Sequence, residues 1–223
     1  MPKLAIIHTT PSTIEPLKQL AAEFLPGWSV INFVDDSILP QLLENQGNVA
    51  EVQERLLSYA IFAEQAGADL LLEACSSVGE LVPLMRQRLQ IPVVRIDEAM
   101  AETAVASAVR ISVAATLPTT LGPTSRLLDE KAKTIGKEIH LTPKLIEGAF
   151  DALRAGDSAR HDVLVADELL NLAAESDLVV LAQASMARVV ASLPASVQMK
   201  FIASPRLAME QVRAAAHGAG CCD

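Results

Sequence analysis

His8-Thr9-Thr10-Pro11-Ser12-Thr13-Ile14-Glu15-Pro16 follows an apolar run near the start of the chain, and Ala115-Thr116-Leu117-Pro118-Thr119-Thr120-Leu121-Gly122-Pro123 follows a second one 107 residues later. Thr9, Pro11, Thr13 and Pro16 of the first stretch coincide with Thr116, Pro118, Thr120 and Pro123 of the second. A further match, Asp69-Leu70-Leu71-Leu72 with Asp177-Leu178-Val179-Val180, lies at an offset of 108. Two alignments at nearly one offset indicate an internal duplication rather than a chance likeness between two turns.

On either side of these stretches, short β-branched or leucine-rich runs alternate with longer helical patterns. The runs Leu4–Ile7, Ser29–Val34, Leu70–Leu72 and Val93–Ile96 read as buried strands, and Ile111–Ala114, Glu138–Leu141, Leu178–Leu181 and Met199–Ile202 form a matching second set. Helical stretches such as Asn48–Ala66 and Arg160–Glu175 lie between them. Strands that are apolar throughout and alternate with helices predict parallel sheets covered on both faces. The expected fold is α/β, with two pseudo-symmetric Rossmann-like domains: residues 1–98 plus 206–223, and residues 99–205. The chain is expected to cross between the halves near residues 97–110, and the helix after Ser204 to return to the first half. Strand C-terminal ends are where open α/β sheets bind ligands, so an active-site cleft is expected between the halves.

The composition narrows the function. With 223 residues, 51% of them hydrophobic and only 3% aromatic, the core is built from Ala, Leu, Val and Ile. The net charge of -9 argues against nucleic acid and membrane surfaces as partners, yet permits a small anion held by backbone N–H groups. The start MPKLAIIHTTPST shows no signal-peptide pattern, and no apolar run approaches the length of a membrane span. Three cysteines, two of them adjacent at Cys221 and Cys222, make no disulfide framework, so a cytoplasmic location is expected. A homo-oligomer is compatible with these features.

The chemistry concentrates at Cys75. In Leu70-Leu71-Leu72-Glu73-Ala74-Cys75-Ser76-Ser77-Val78-Gly79-Glu80 a strand ends near Glu73, and Ser77 with Glu80 forms the S-x-x-E pattern that opens a helix. Cys75 is then expected just before a helix N-terminus, where partial positive charge favours the thiolate and free N–H groups can hold a carboxylate. The alternative is a small buried hydrophobe, the common state of a free Cys. Ser12 with Glu15 is a second S-x-x-E helix start. His8 ends the first strand and either reaches the cleft or is satisfied there by a hydrogen bond. Thr116, Thr119 and Thr120 cap the helix after Ile111–Ala114, bind an oxyanion, or do both. Neither phosphate-loop pattern occurs, and the four histidines show no metal-ligand spacing, so no metal and no nucleotide cofactor are expected.

These segments together resemble the aspartate/glutamate/hydantoin racemase superfamily along nearly the whole chain. The carriers are Ile6–Pro11, Glu73–Ser77, Ile111–Thr116 with Thr119 and Thr120, Val180–Met186, and Ser204–Leu207. The resemblance implies two pseudo-symmetric α/β domains, no cofactor, and two cysteines on opposite faces of the substrate's α-carbon. Here the second thiol is missing, because the repeat places Gln183 opposite Cys75. A glutamine amide does not exchange a proton near neutral pH.

Relatives with a changed cysteine pattern include arylmalonate decarboxylases, whose retained thiol lies in the other half; maleate cis-trans isomerases also belong to the superfamily, and there the first-half thiol adds to a double bond. The resemblance therefore implies a racemase or isomerase of a small carboxylate, with Cys75 as base or nucleophile and Gln183 orienting the substrate. The substrate-binding set is His8, Thr9, Ser76, Ser77, Thr116, Thr119, Thr120, Ala184 and Ser185. The alternatives are a one-thiol decarboxylase of a malonate-type acid and a non-catalytic ligand-binding homologue.

Overall fold

The computed structural model describes residues 1–218. Cys221 and Cys222, and the end of the predicted segment 206–223, lie outside the described residues. The chain divides into two compact units, Met1–Glu98 with the chain from Pro205 onward, and Ala99–Ser204.

The first unit runs β1 (Lys3–His8), α1 (Ile14–Phe24), β2 (Ser29–Val34), α2 (Ile38–Glu44), α3 (Gln53–Gln65), β3 (Leu70–Glu73), α4 (Val82–Arg88) and β4 (Val93–Arg95). Its four strands are all parallel and ordered β2-β1-β3-β4. Alternation along the strands explains why both faces are apolar. Ala5, Ile7 and Leu71 pack with Leu56, Leu57 and Ala60 of α3 and with Val82 and Met85 of α4. Leu4, Ile6, Leu70 and Leu72 point the other way, onto Leu17, Ala21 and Phe24 of α1.

The second unit runs α5 (Glu98–Ser107, its first residue still in the first unit), β5 (Arg110–Ala115), α6 (Pro118–Thr134), β6 (His140–Leu145), α7 (Ala149–Arg154), α8 (Ser158–Glu175), β7 (Leu178–Leu181), α9 (Ala184–Val190), α10 (Ala195–Gln198) and β8 (Phe201–Ala203). Its parallel sheet has the order β6-β5-β7-β8, the same topology as the first. Ala114, Val179 and Leu181 pack under α7, α8 and α9 through Ala149, Val165, Leu169, Leu172 and Met186. Last comes α11 (Ser204–Gly218), whose Ala208, Met209, Val212 and Ala216 complete the first unit's core against Leu4 and Leu72. Arg206 and Arg213 lie over the Phe24 ring at 4.9 and 5.3 Å, fastening α11 to α1.

The repeat also reaches the strand starts. The Lys3 N–H donates to Asp69 Oδ2 at 2.8 Å, and the Arg110 N–H donates to Asp177 Oδ2 at 2.9 Å. This explains why an aspartate precedes both matched apolar runs.

Five expectations need correction. The strand predicted at Met199–Ile202 runs from Phe201 to Ala203, because the exposed Met199 ends α10. The helix predicted at Asn48–Ala66 starts only at Gln53, after a 3-10 turn at Val49–Glu51. The strand predicted at Glu138–Leu141 runs from His140 to Leu145 instead; it is a largely exposed edge strand containing Pro143, so its apolar pattern is weak. Ser12 sits inside a 3-10 turn, Pro11–Thr13, and α1 starts at Ile14 with no side-chain cap. Likewise, no helix begins at Ser77. A 3-10 turn spans Gly79–Leu81, and α4 starts at Val82 with no side-chain cap. In both places a tight turn precedes the helix and takes the residues the capping boxes needed.

Candidate active site

The turn that carries Cys75 is set by β3. Ile7 pairs with Glu73, and the Ala74 N–H donates to the Ile7 carbonyl at 2.9 Å, so the chain leaves the sheet with Cys75 at the C-terminal edge. Cys75 is 8% exposed, and Ser76 and Ser77 are buried with it. The backbone and hydroxyl of Ser77 both form hydrogen bonds with the sulfur, favouring the thiolate. Thr9, from the turn after β1, lies beside the thiol and acts in the same direction, although its own hydroxyl oxygen completes no hydrogen bond. The structure thus brings together Thr9, Cys75 and Ser77, three of the residues predicted from sequence.

The surroundings of the thiol oppose its expected activation. Burial first, and the neighbouring Glu73 carboxylate second, push the Cys75 thiol up to about 12. The helix that was to lower it starts at Val82, seven residues on, and is only one and a half to two turns long, so its dipole is weak at the sulfur. Desolvation decides the state of the group.

Glu73, Arg95 and Asp97 are the residues that sequence reasoning missed. Glu73 is fully buried, and its Oε1 accepts the Cys75 N–H at 2.8 Å. Its other oxygen, Oε2, completes no hydrogen bond. Burial, followed by Asp97, raises the Glu73 carboxyl well above the usual range, opposed by the Cys75 N–H and Arg95. Arg95 stands across from Glu73 in the strand register and forms a two-pronged ion pair with Asp97, at 2.5 and 3.2 Å. Gly79 makes room for it, since a Cβ there would lie 2.4 Å from Arg95 Nε. The sequence signal was a lone glutamate closing an otherwise apolar strand, Leu-Leu-Leu-Glu, beside a strand closing on Arg-x-Asp.

His8 resolves to the second of its two readings. It is fully buried, with Nδ1 2.7 Å from Thr13 Oγ1 and Nε2 2.9 Å from Asn32 Oδ1. Burial lowers its pKa, and the Asn32 bond opposes this. Both nitrogens are committed, which makes His8 a brace for the turn that holds Thr9.

In the second unit the same two turns meet differently. Gln183 Oε1 accepts from both the N–H and the hydroxyl of Thr116, at 2.5 and 3.0 Å. A backbone donor fixes which end of the amide is oxygen, leaving the NH2 group as the end able to donate elsewhere. Thr116, Thr119 and Thr120 are buried in the first turn of α6 and the turn before it, and the Thr119 hydroxyl completes no hydrogen bond. Ala184 and Ser185 form the half-buried start of α9. Among the described residues, no group of three or more His, Cys, Asp and Glu could hold a metal ion, and no helix is long and apolar enough to cross a membrane.

The family model for Asp/Glu/Hydantoin racemase matches residues 5–212. The chain belongs to that family. Solved structures agree with the fold. A glutamate racemase isoform from Bacillus anthracis superposes with a TM-score of 0.75 at 19% identity, covering 98% of this chain and 83% of that one. A putative Asp/Glu racemase from Yersinia pestis gives 0.69 at 17%, covering 98% and 99%. An allantoin racemase from Klebsiella pneumoniae gives 0.69 at 19%, covering 99% and 89%. No curated protein sequence matches the chain significantly. Within this racemase family the fold is shared at low identity, so the reaction must be argued from the chain's own residues.

Proposed function

We propose that this chain is a cofactor-independent isomerase-type enzyme acting on a small carboxylate, with Cys75 as its proton-transferring or nucleophilic group. The observation that carries the reading is the Cys75 sulfur held in a buried turn by the Ser77 backbone and hydroxyl, beside Thr9. Ser76 in the first unit, and Thr119, Ala184 and Ser185 in the second, carry hydroxyl or N–H donors of the kind that bind carboxylate oxygens. As a thiol, Cys75 gives a proton to carbon; as a thiolate, it takes one or adds to a double bond.

Gln183 separates this chain from a two-base racemase. Its amide does not titrate, and its carbonyl is already taken by Thr116. Its NH2 group is suited to steadying an enolate-like oxygen. With one thiol, exchange at the α-carbon retains configuration, because the same group removes and returns the proton. The test is incubation of small amino and keto-type carboxylates in heavy water, read by mass and by chirality. Deuterium uptake with retention supports the reading, and uptake with inversion overturns the single-thiol account. The variant Gln183→Cys is expected to raise racemisation of aspartate or glutamate. No exchange or isomerisation across the set would assign the chain to the non-catalytic, ligand-binding alternative.

A second reading is favoured by one observation. Burial keeps Cys75 protonated at neutral pH, which suits an acid more than a base. A malonate-type acid loses carbon dioxide by breaking its carbon–carbon bond. The electron pair passes into an enediolate, Cys75 protonates the carbon, and water then reprotonates the thiolate. Release of carbon dioxide from malonate-type acids distinguishes this lyase from an isomerase.

A further inference from the structure

The buried polar group behind Cys75 has no counterpart in the duplicated half. Register fixes the comparison: Glu73 pairs with Arg95 in the first sheet, and Leu181 pairs with Ala203 at the same place in the second. An apolar pair therefore completes this strand topology, and neither the carboxyl nor the guanidinium is needed to build the sheet. Burying them costs free energy, several kcal/mol per ion before pairing is counted. Arg95 and Asp97 satisfy one another, which leaves Glu73 as the buried acid without a counterion of its own.

We propose that Glu73 is a positioning residue that controls when Cys75 can carry charge: its buried carboxyl fixes the turn through the Cys75 N–H, and its own charge state decides whether a thiolate can form beside it. This rests on Cys75 being the reactive group. The groups facing Glu73 are few. Cys75 follows on its own chain, Arg95 lies across on β4, and Asp97 lies in the turn after β4. Glu98 acts on Arg95 from the start of α5, and His8 at the end of β1 is engaged with Thr13 and Asn32. In a pocket with one net-neutral ion pair, a Glu73 carboxylate and a Cys75 thiolate would be two uncompensated anions side by side. Protonated Glu73 leaves room for one, so a thiolate formed during reaction is tolerated only while the carboxyl stays neutral. The raised carboxyl of Glu73, and its carboxylate's part in raising Cys75, agree with this geometry.

The test uses the full chain with Cys221→Ser and Cys222→Ser, so that Cys75 alone reports. Glu73→Gln keeps an oxygen for the Cys75 N–H and removes the charge. Alkylation of Cys75 by iodoacetamide is followed against pH. The midpoint in Glu73→Gln is expected at least about one pH unit below that of the parent, giving about tenfold faster labelling near pH 9. Superimposable profiles with a reactive thiol would overturn the role of Glu73 and leave the reading of Cys75 standing. A thiol inert in both proteins until denaturation would sink both. Should Glu73→Gln not fold, infrared spectra of the parent labelled with carbon-13 glutamate decide the matter. A protonated glutamate carboxyl at neutral pH supports the proposal, and its absence overturns it.

Discussion

The ends of β3 and β7 occupy equivalent places in two sheets of the same strand order, yet they carry opposite chemistry. At the first, Thr9 and Ser77 surround a buried thiol backed by Glu73, Arg95 and Asp97. At the second, Thr116 closes on a neutral amide backed by Leu181 and Ala203. Thr9 and Thr116 are the shared element: each follows the central strand of its sheet and meets the residue just beyond the neighbouring strand. The contrast teaches that the duplicated scaffold fixes where a functional group stands, while a few side chains at the strand ends decide whether it can change its charge.

The largest expected effect breaks the comparison at the functional groups. If the turns differ in role as proposed, Cys75→Ser lowers deuterium exchange on the best substrate by about 10²- to 10⁴-fold, the span of a lost general acid or base. Gln183→Asn, which shortens the amide's reach to Thr116, should cost about tenfold or less. Equal losses at the two positions would mean that the turns are not functionally distinct.

A reciprocal exchange of the supporting residues comes next. Leu181→Glu places a carboxyl where Ala203, not an arginine, is the register partner, and should lower stability by about 3–5 kcal/mol. Glu73→Leu strands the Cys75 N–H but leaves Arg95 and Asp97 paired, so about 1–3 kcal/mol is expected. Urea midpoints at pH 7 check both. Comparable costs would show the two environments to be equally tolerant of charge.

The smallest effect is a slope with pH. The folded-state pKa of Cys75 is raised, to about 12 from an ordinary 9.0. Between these values the folded chain holds a proton that the unfolded chain has lost. Stability from this group is thus complete below pH 9 and declines as pH rises toward 12, with a slope approaching about 1.4 kcal/mol per pH unit. Glu73, also raised, acts in the same sense at lower pH: its contribution is present below the ordinary glutamate range and is lost as pH rises through its folded value. Unfolding free energy measured from pH 8.5 to 10.5, with Cys221 and Cys222 replaced by Ser, is expected to fall less steeply in Cys75→Ala. No change in slope would remove the buried thiol from the comparison.

The buried strands other than the exposed edge strand β6 and the short β8, the duplication, and the placing of Cys75 and Gln183 at matched turns were legible in the residues alone. Those are local or periodic properties: fully buried strands must be apolar throughout, and a duplicated turn keeps the Thr and Pro its backbone needs. The sequence also marked Asp69 and Asp177, although only the structure shows them receiving the first N–H of the strand alongside. Only the folded chain supplies the burial and the Glu73 neighbour that oppose a Cys75 thiolate. Residue spacing places Cys75 before a helix and leaves a thiolate and a buried hydrophobe both open, but the chain spends residues 79–81 in a 3-10 turn before α4 begins. Tertiary structure also decided that Glu73, distant in sequence from Arg95 and Asp97, shares their pocket, and that His8 spends both nitrogens on Thr13 and Asn32. A pKa depends on burial and on neighbours brought together by strand pairing, and neither is written in the spacing of residues along the chain.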